Sequence, residues 1–166
     1  MPKDRAPAAT PAASPTAYDL AVRPGFLIRR LHQIHVALFM EECGGFDVTP
    51  MQYSIMTTVQ ARPGLDQARL GEVVGVDHAT LANVVGRLDR RGLLRRRASP
   101  DDRRLRLVEL TEAGAALPAQ VDAPARPAHQ RTVAALPPVE RQAFVQALAQ
   151  LVQDGNVHGR APLRLG

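Results

Sequence analysis

Between Phe26 and Glu42 the apolar residues Leu27, Leu31, Ile34 and Leu38 recur at i, i+4, i+7 and i+11, one stripe of an amphipathic helix. Ile28, His32, His35 and Phe39 repeat that spacing beside it, and the Gly44-Gly45 pair stops the helix. Thr49 opens a second helix as N-cap, with Pro50 at its first position, Gln52 closing a capping box, and Tyr53, Met56 and Val59 facing inward. Arg62-Pro63-Gly64 ends it. A short third helix runs from an Asp66 cap through Leu70, Val73 and Val74 to Gly75. A fourth opens at Asp77, buries Leu81, Val84, Val85 and Leu88, and reaches Gly92 just past its end. The tight Gly75-Val76-Asp77 connection between two short helices is the helix-turn-helix pattern.

Next, Leu93–Ala98 and Arg103–Leu110 flank the polar turn Ser99-Pro100-Asp101-Asp102 and predict a β-hairpin. Its alternation is imperfect, with Val108 and Leu110 on one face and Leu105 and Leu107 on the other. Thr111-Glu112 begins another helix, but Pro118, Pro124 and Pro127 interrupt the alanine-rich stretch 112–136, so a kinked or broken helix is expected there. Pro138 restarts a cleaner helix with Phe144, Leu148, Leu151 and Val152 on one face, ending at Gly155. The predicted class is mainly α with a small β part (α+β), a winged helix-turn-helix at 49–111. Residues 18–48 and 112–155 make a separate helical region, whose first and last helices have apolar faces too broad for a small winged-helix core alone and need a partner surface. Residues 1–17, rich in Ala, Pro, Ser and Thr, are expected to be a disordered arm, and 156–166 a tail without periodicity.

Composition narrows the class further. With 166 residues, 45% apolar and 22% charged, the chain is one ordinary globular unit. No apolar run of membrane length and no apolar core after the first charges occur, so neither a membrane nor a secretory leader is expected, and the expected location is the cytoplasm. A single cysteine, Cys43, excludes an internal disulfide and a multi-cysteine zinc site. The net charge of +5 is concentrated: Arg87 to Arg106 hold nine arginines against three aspartates, a local +6. Such a segment suits a polyanion, since affinity for DNA grows with the phosphates neutralised. The bland alternative is a solvated arginine-rich face.

If Asp77–Arg91 is a recognition helix, its exposed arc holds His78, Ala79, Thr80, Asn83 and Arg87. Asn83 can bond adenine bidentately and Arg87 suits a guanine or a phosphate. On the first helix Arg29, His32 and Gln33 stand at i, i+3 and i+4, with His35 following. A cation and imidazoles beside Phe39 and Tyr53 can hold a carboxylate and an aromatic ring. The alternative is that His32 and His35 serve helix packing and Arg29 is a surface charge. No Gly-rich phosphate loop, nucleophile elbow or His-Glu-x-x-His occurs, so no enzyme is expected. Glu41-Glu42 and Asp101-Asp102 are sequence neighbours that face apart on a helix or orient a turn. No metal or other cofactor is expected, because no further ligands accompany the His32/His35 pair.

The stretches DQARLGEVVGVDHATLANVVGRLDRRGLL and SPDDRRLRLVELTEAG resemble the DNA-binding core of the multiple-antibiotic-resistance-regulator (MarR) family of bacterial transcription factors. The second holds the family's wing pattern at Asp102, Arg104, Val108, Leu110 and Thr111, and the resemblance extends over roughly 20–155. It implies a homodimer on a palindromic operator of double-stranded DNA, with Arg104 entering the minor groove and Asp102 orienting the wing. Arg103 and Arg106 are assigned to phosphates. RPGFLIRRLHQIHVALFMEEC looks like the first helix of members controlling aromatic-acid catabolism. The resemblance therefore implies a repressor released by an aromatic carboxylate or its CoA thioester. Two other readings are a redox-sensing regulator acting through Cys43 and a non-specific architectural DNA-binding protein. Cys43 follows Glu41 and Glu42 near a helix C-terminus, a setting that raises a thiol pKa and counts against the first.

Overall fold

The structure is a computed structural model that describes residues 19–161, 163 and 164. The arm predicted at 1–17 lies outside the described residues. A short 3-10 turn, Leu20–Val22, is capped by the Asp19 carboxylate and leads into α1, Pro24–Cys43. α1 begins two residues before the predicted start because Pro24 takes its first position. A second 3-10 turn, Gly44–Phe46, then carries the chain to α2, Pro50–Ala61. The Thr49 capping box is complete: its Oγ1 accepts from the Gln52 N–H at 3.2 Å, and its own N–H donates to Gln52 Oε1 at 3.0 Å.

α3, Gln67–Val74, and α4, His78–Arg90, start at the Asp66 and Asp77 carboxylates, which accept from the first backbone N–H groups. Gly75, with φ 67°, turns the chain between them. β1, Leu94–Ala98, and β2, Arg106–Leu110, pair antiparallel with Leu94 opposite Leu110 and Arg96 opposite Val108. The Val108 N–H donates to Leu65 O at 3.0 Å, which ties the hairpin to the chain entering α3.

α5, Glu112–Thr132, corrects the prediction of a broken helix: it runs continuously through Pro118, Pro124 and Pro127 and stops before 136. Each proline removes one helical hydrogen bond and crowds the carbonyl four residues back. Against this, Gly114, Pro118, Val121, Ala125 and Ala128 are buried in a stripe along α5, Gly114 against Leu93 and Leu110 of the hairpin, on a helix packed on α1 and α2. Burial along that stripe outweighs the local penalty, since helices in proteins owe most of their stability to packing. The core beneath it joins Phe39, Ile55, Met56, Leu70, Leu81, Leu88, Leu94 and Val108.

α6, Pro138–Asp154, has no buried residue. Phe144 and Leu148 are half-buried, and Val145, Leu151 and Val152 are 54%, 66% and 52% exposed. The tail beyond it, without pattern in the sequence, forms a 3-10 turn at Asn156–His158 and packs back on the helix-turn-helix. No helix among the described residues is long and apolar enough to cross a membrane.

Candidate nucleic-acid interface and effector site

The amphipathic α4 turns Leu81, Val85 and Leu88 inward and leaves His78, Ala79, Thr80, Asn83 and Arg87 exposed, the last four on one arc and His78 at the helix start toward the wing. Asp77 accepts from the Thr80 N–H at 3.0 Å and from its hydroxyl at 2.8 Å. These bonds hold the Asp77 carboxyl below the usual carboxylate range. The Thr80 hydroxyl proton is thereby engaged, which leaves the hydroxyl oxygen as an acceptor.

The wing turn is built on Ser99, 6% exposed, whose Oγ accepts from the Asp101 and Asp102 N–H groups at 3.3 and 3.4 Å. Asp102 then grips Arg104, accepting from its backbone N–H at 3.0 Å and from Nε and Nη2, each at 3.1 Å. The Arg104 guanidinium holds the Asp102 carboxyl below its ordinary value, side-chain bonds first and the backbone bond second. The Arg104 side chain remains 90% exposed. Arg104 and Arg106 line a groove of about 280 Å³ with His78, Gln67 and Ala68, so the wing and the start of α4 share one surface.

The arginine-rich segment is less free than its sequence suggests. Arg95 and Arg97 both pair with Glu109, at 2.9 and 2.8 Å, and Arg96 pairs with Asp89 at 2.9 Å. Arg91 reaches Asp47 at 3.5 Å. Glu109 lies just beyond the counted stretch and enters through strand register, opposite Arg95. Among the described residues Arg87, Arg90, Arg103 and Arg106 make no ion pair. The available cations are therefore those of the α4 outer face and the wing tip.

The residues considered for an effector divide into two groups. His35, Phe39 and Tyr53 form a chain of rings, with centroids 6.5 Å and 5.9 Å apart. His35 Nδ1 lies 2.9 Å from Thr132 Oγ1, whose single proton goes to the Ala128 carbonyl, so the imidazole donates. The Tyr53 hydroxyl donates to Asp122 at 3.4 Å, and Asp122 also accepts from Arg126. Phe39 itself is core, 1% exposed. Arg29, His32 and Gln33 are exposed on α1: Arg29 lies 5.3 Å over the Phe26 ring, Gln33 accepts from Arg30 at 2.8 Å, and His32 is near enough for its charge to act on His35. Sequence reasoning missed His129, which stacks on His35 at 5.1 Å, as well as Thr132 and Asp122. The packing of α5 on both α1 and α2 brings these together.

Glu41 and Glu42 do not face apart: both bind Arg131 of α5, at 3.0 and 2.6 Å. A guanidinium is wide enough to take two carboxylates from successive residues. Cys43 is buried, and burial first and Glu42 second push its thiol up. A thiol so placed is a poor nucleophile. The described residues contain no group of three or more His, Cys, Asp or Glu side chains able to hold a metal ion.

A helix-turn-helix followed by an arginine-tipped hairpin and flanked by long helices defines a winged-helix DNA-binding protein. The MarR family profile matches residues 46–105. The transcriptional repressor NicR of Pseudomonas putida is 32% identical over 146 residues, 86% of this chain and 92% of the relative. Among solved structures, the PcaV transcriptional regulator of Streptomyces coelicolor in complex with its natural ligand is 37% identical, with a TM-score of 0.75 over 82% of this chain and 96% of that one. BpsR of Bordetella bronchiseptica, whose DNA binding is regulated by 6-hydroxynicotinic acid, is 31% identical, with a TM-score of 0.75 over 81% of this chain and 96% of that one. The chain belongs to the MarR family of transcriptional regulators.

Proposed function

We propose that this chain is a homodimeric repressor that binds a palindromic operator and is released by an aromatic carboxylate or its CoA thioester. The observation that carries the DNA half is the groove shared by His78, Arg104 and Arg106, with Asn83 and Arg87 exposed further along the same helix. In this reading the α4 arc reads base edges, the clamped Arg104 enters the minor groove, Asp102 orients it, and Arg103 and Arg106 neutralise phosphates. The exposed apolar residues of α1 and α6, Ile28, Ile34, Leu151 and Val152 among them, support dimerisation through residues 18–48 and 112–155. An isologous dimer presents two recognition helices related by a two-fold axis, which a palindrome matches.

The relatives support the effector half, since BpsR responds to an aromatic acid and NicR carries a repressor's name. Arg29, His32 and Gln33 supply the carboxylate partners, and His35, Phe39 and Tyr53 the aromatic wall. For Phe39 this requires its packing to open, because the ring is closed off in the single chain.

A mobility shift on the DNA upstream of the protein's own gene tests both halves, run with and without aromatic acids and their CoA thioesters. A specific shift abolished by one compound is the expected result. A specific shift that no compound moves removes the effector half alone, and binding without sequence preference points to an architectural protein instead.

A further inference from the structure

The tail after α6 is docked on the helix-turn-helix. The Asn156 side chain closes it into a loop, donating to Leu163 O at 2.8 Å and accepting from the Leu163 N–H at 2.7 Å. The Arg164 N–H donates to Glu72 O at 2.8 Å, and its Nε lies 3.4 Å from the Glu72 carboxylate. Leu163 covers Gly75, the left-handed residue of the α3–α4 turn, where an added Cβ would lie 3.3 Å from Leu163 Cδ1. Backbone, ionic and apolar contacts thus fix the loop against the turn that sets the recognition helix.

That docking brings Arg160 to the start of α4. Arg160 lines a groove of about 210 Å³ with Gln67, Ala68, Gly71, Asp77 and His78. Gln67, Ala68 and His78 also line the groove that holds Arg104 and Arg106. The two grooves therefore meet at His78, and a rim of cations continues from the wing past the N-termini of α3 and α4 to the tail. The carboxylates in the tail-side groove are engaged: Glu72 pairs with Arg69 at 2.9 Å as well as with Arg164, and Asp77 accepts from Thr80. Arg160 feels the Asp77 charge yet makes no ion pair among the described residues, so its guanidinium is available.

We propose that Arg160 is a contact to the phosphate backbone of duplex DNA, presented beside the recognition helix by the docked tail. This rests on the DNA-binding reading above. An arginine in that position neutralises a phosphate and adds to affinity with no sequence preference of its own.

The test is binding of a fluorescent duplex of the upstream DNA to wild type, Arg160→Ala, Arg160→Lys and Arg104→Ala across a salt series. Arg160→Ala is expected to weaken binding about tenfold. With two copies per dimer it should also lower the slope of log affinity on log salt by about 2. Arg160→Lys, which keeps the charge, should retain the slope. An Arg160→Ala protein with wild-type affinity and slope, beside an impaired Arg104→Ala, overturns the tail contact alone. Equal losses in the Ala and Lys variants at an unchanged slope overturn it as well, in favour of a structural role. Wild-type protein that does not bind duplex DNA even at low salt removes the DNA-binding reading and the tail contact together.

Discussion

Asp102 holds Arg104 by three hydrogen bonds, one from the backbone N–H and two from the guanidinium, while leaving the arginine side chain 90% exposed. An arginine so held has lost much of its rotamer freedom before any DNA arrives, which reduces the entropy lost on binding. Arg104→Ala is therefore expected to weaken operator binding by about 1–3 kcal/mol per protomer, in the range of one good arginine contact. Its melting temperature should match wild type, because an exposed pair contributes little to folding. Asp102→Ala should produce a smaller loss, since the cation remains and only its orientation goes. Anisotropy titrations with thermal melts check both; unchanged affinity in Arg104→Ala would remove the wing from the interface.

Dimerisation is the second quantity to measure. Leu151 and Val152 on α6 are 66% and 52% exposed, and no side chain of that helix is buried within the chain. A partner protomer that covers this face would desolvate any charge placed there. Leu151→Asp is expected to yield a folded monomer in sedimentation velocity and to bind the operator at least about tenfold more weakly, since one half-site is lost. A Leu151→Asp protein that remains dimeric excludes α6 from the interface.

The helix-turn-helix was legible because its signals are local. Thr49, Asp66 and Asp77 cap their own helices, and Gly75 and Gly92 end theirs with positive φ, so neighbours in sequence carry the whole argument. The errors came where distant packing decides. Prolines at 118, 124 and 127 argue locally against a helix, and only the buried stripe from Gly114 at the wing to Val121, Ala125 and Ala128 explains why it persists. Glu109 quenches two arginines through strand register, and the tail docks through Asn156, Leu163 and Arg164 with no periodicity to announce it. The candidate effector residues lie on α1 and, for Tyr53, on α2, whereas their partners His129, Thr132 and Asp122 come from α5.

Cys43 offers a control on the redox reading. Its thiol is buried and pushed up by burial and by Glu42, so the thiolate is scarce at neutral pH. Native protein is expected to resist iodoacetamide, with alkylation following only on unfolding, and peroxide should leave operator affinity unchanged. Rapid native alkylation accompanied by release from DNA would restore the redox sensor.

Gly114 fixes the joint between wing and α5. Thr111 caps that helix, its Oγ1 accepting from the Gly114 N–H at 3.1 Å, and draws it so close to β1 that a Cβ at 114 would collide with the Leu93 carbonyl. The obstacle is backbone, which cannot rotate away as a side chain can. Gly114→Ala should lower unfolding free energy by about 1–3 kcal/mol, despite the better helix propensity of alanine. Urea denaturation measures this; a stabilised variant would mean that the wing joint is free to open.

His35 gives the pH dependence a definite sign. Burial first, then the charges of His129 and His32, lower its pKa from the ordinary 6.5, so the fold prefers the neutral ring. His129 on α5 stacks on it, His32 lies on its own helix, and Thr132 Oγ1 accepts a hydrogen bond from its Nδ1–H. The unfolded chain accepts a proton at the ordinary value and the folded chain only at a lower one. The stability contributed is therefore complete above the ordinary value and is lost as pH falls through the lowered one. Thermal melts between pH 8 and pH 5 should show the melting temperature falling on the acid side, and His35→Phe, which keeps a ring on the stack, should flatten that fall. Parallel profiles for the two proteins would assign the acid sensitivity to groups other than His35. If an anionic effector binds beside His35, it should also raise the imidazole pKa, so a ligand-dependent shift of the wild-type profile, absent in His35→Phe, would place the effector between α1 and α5.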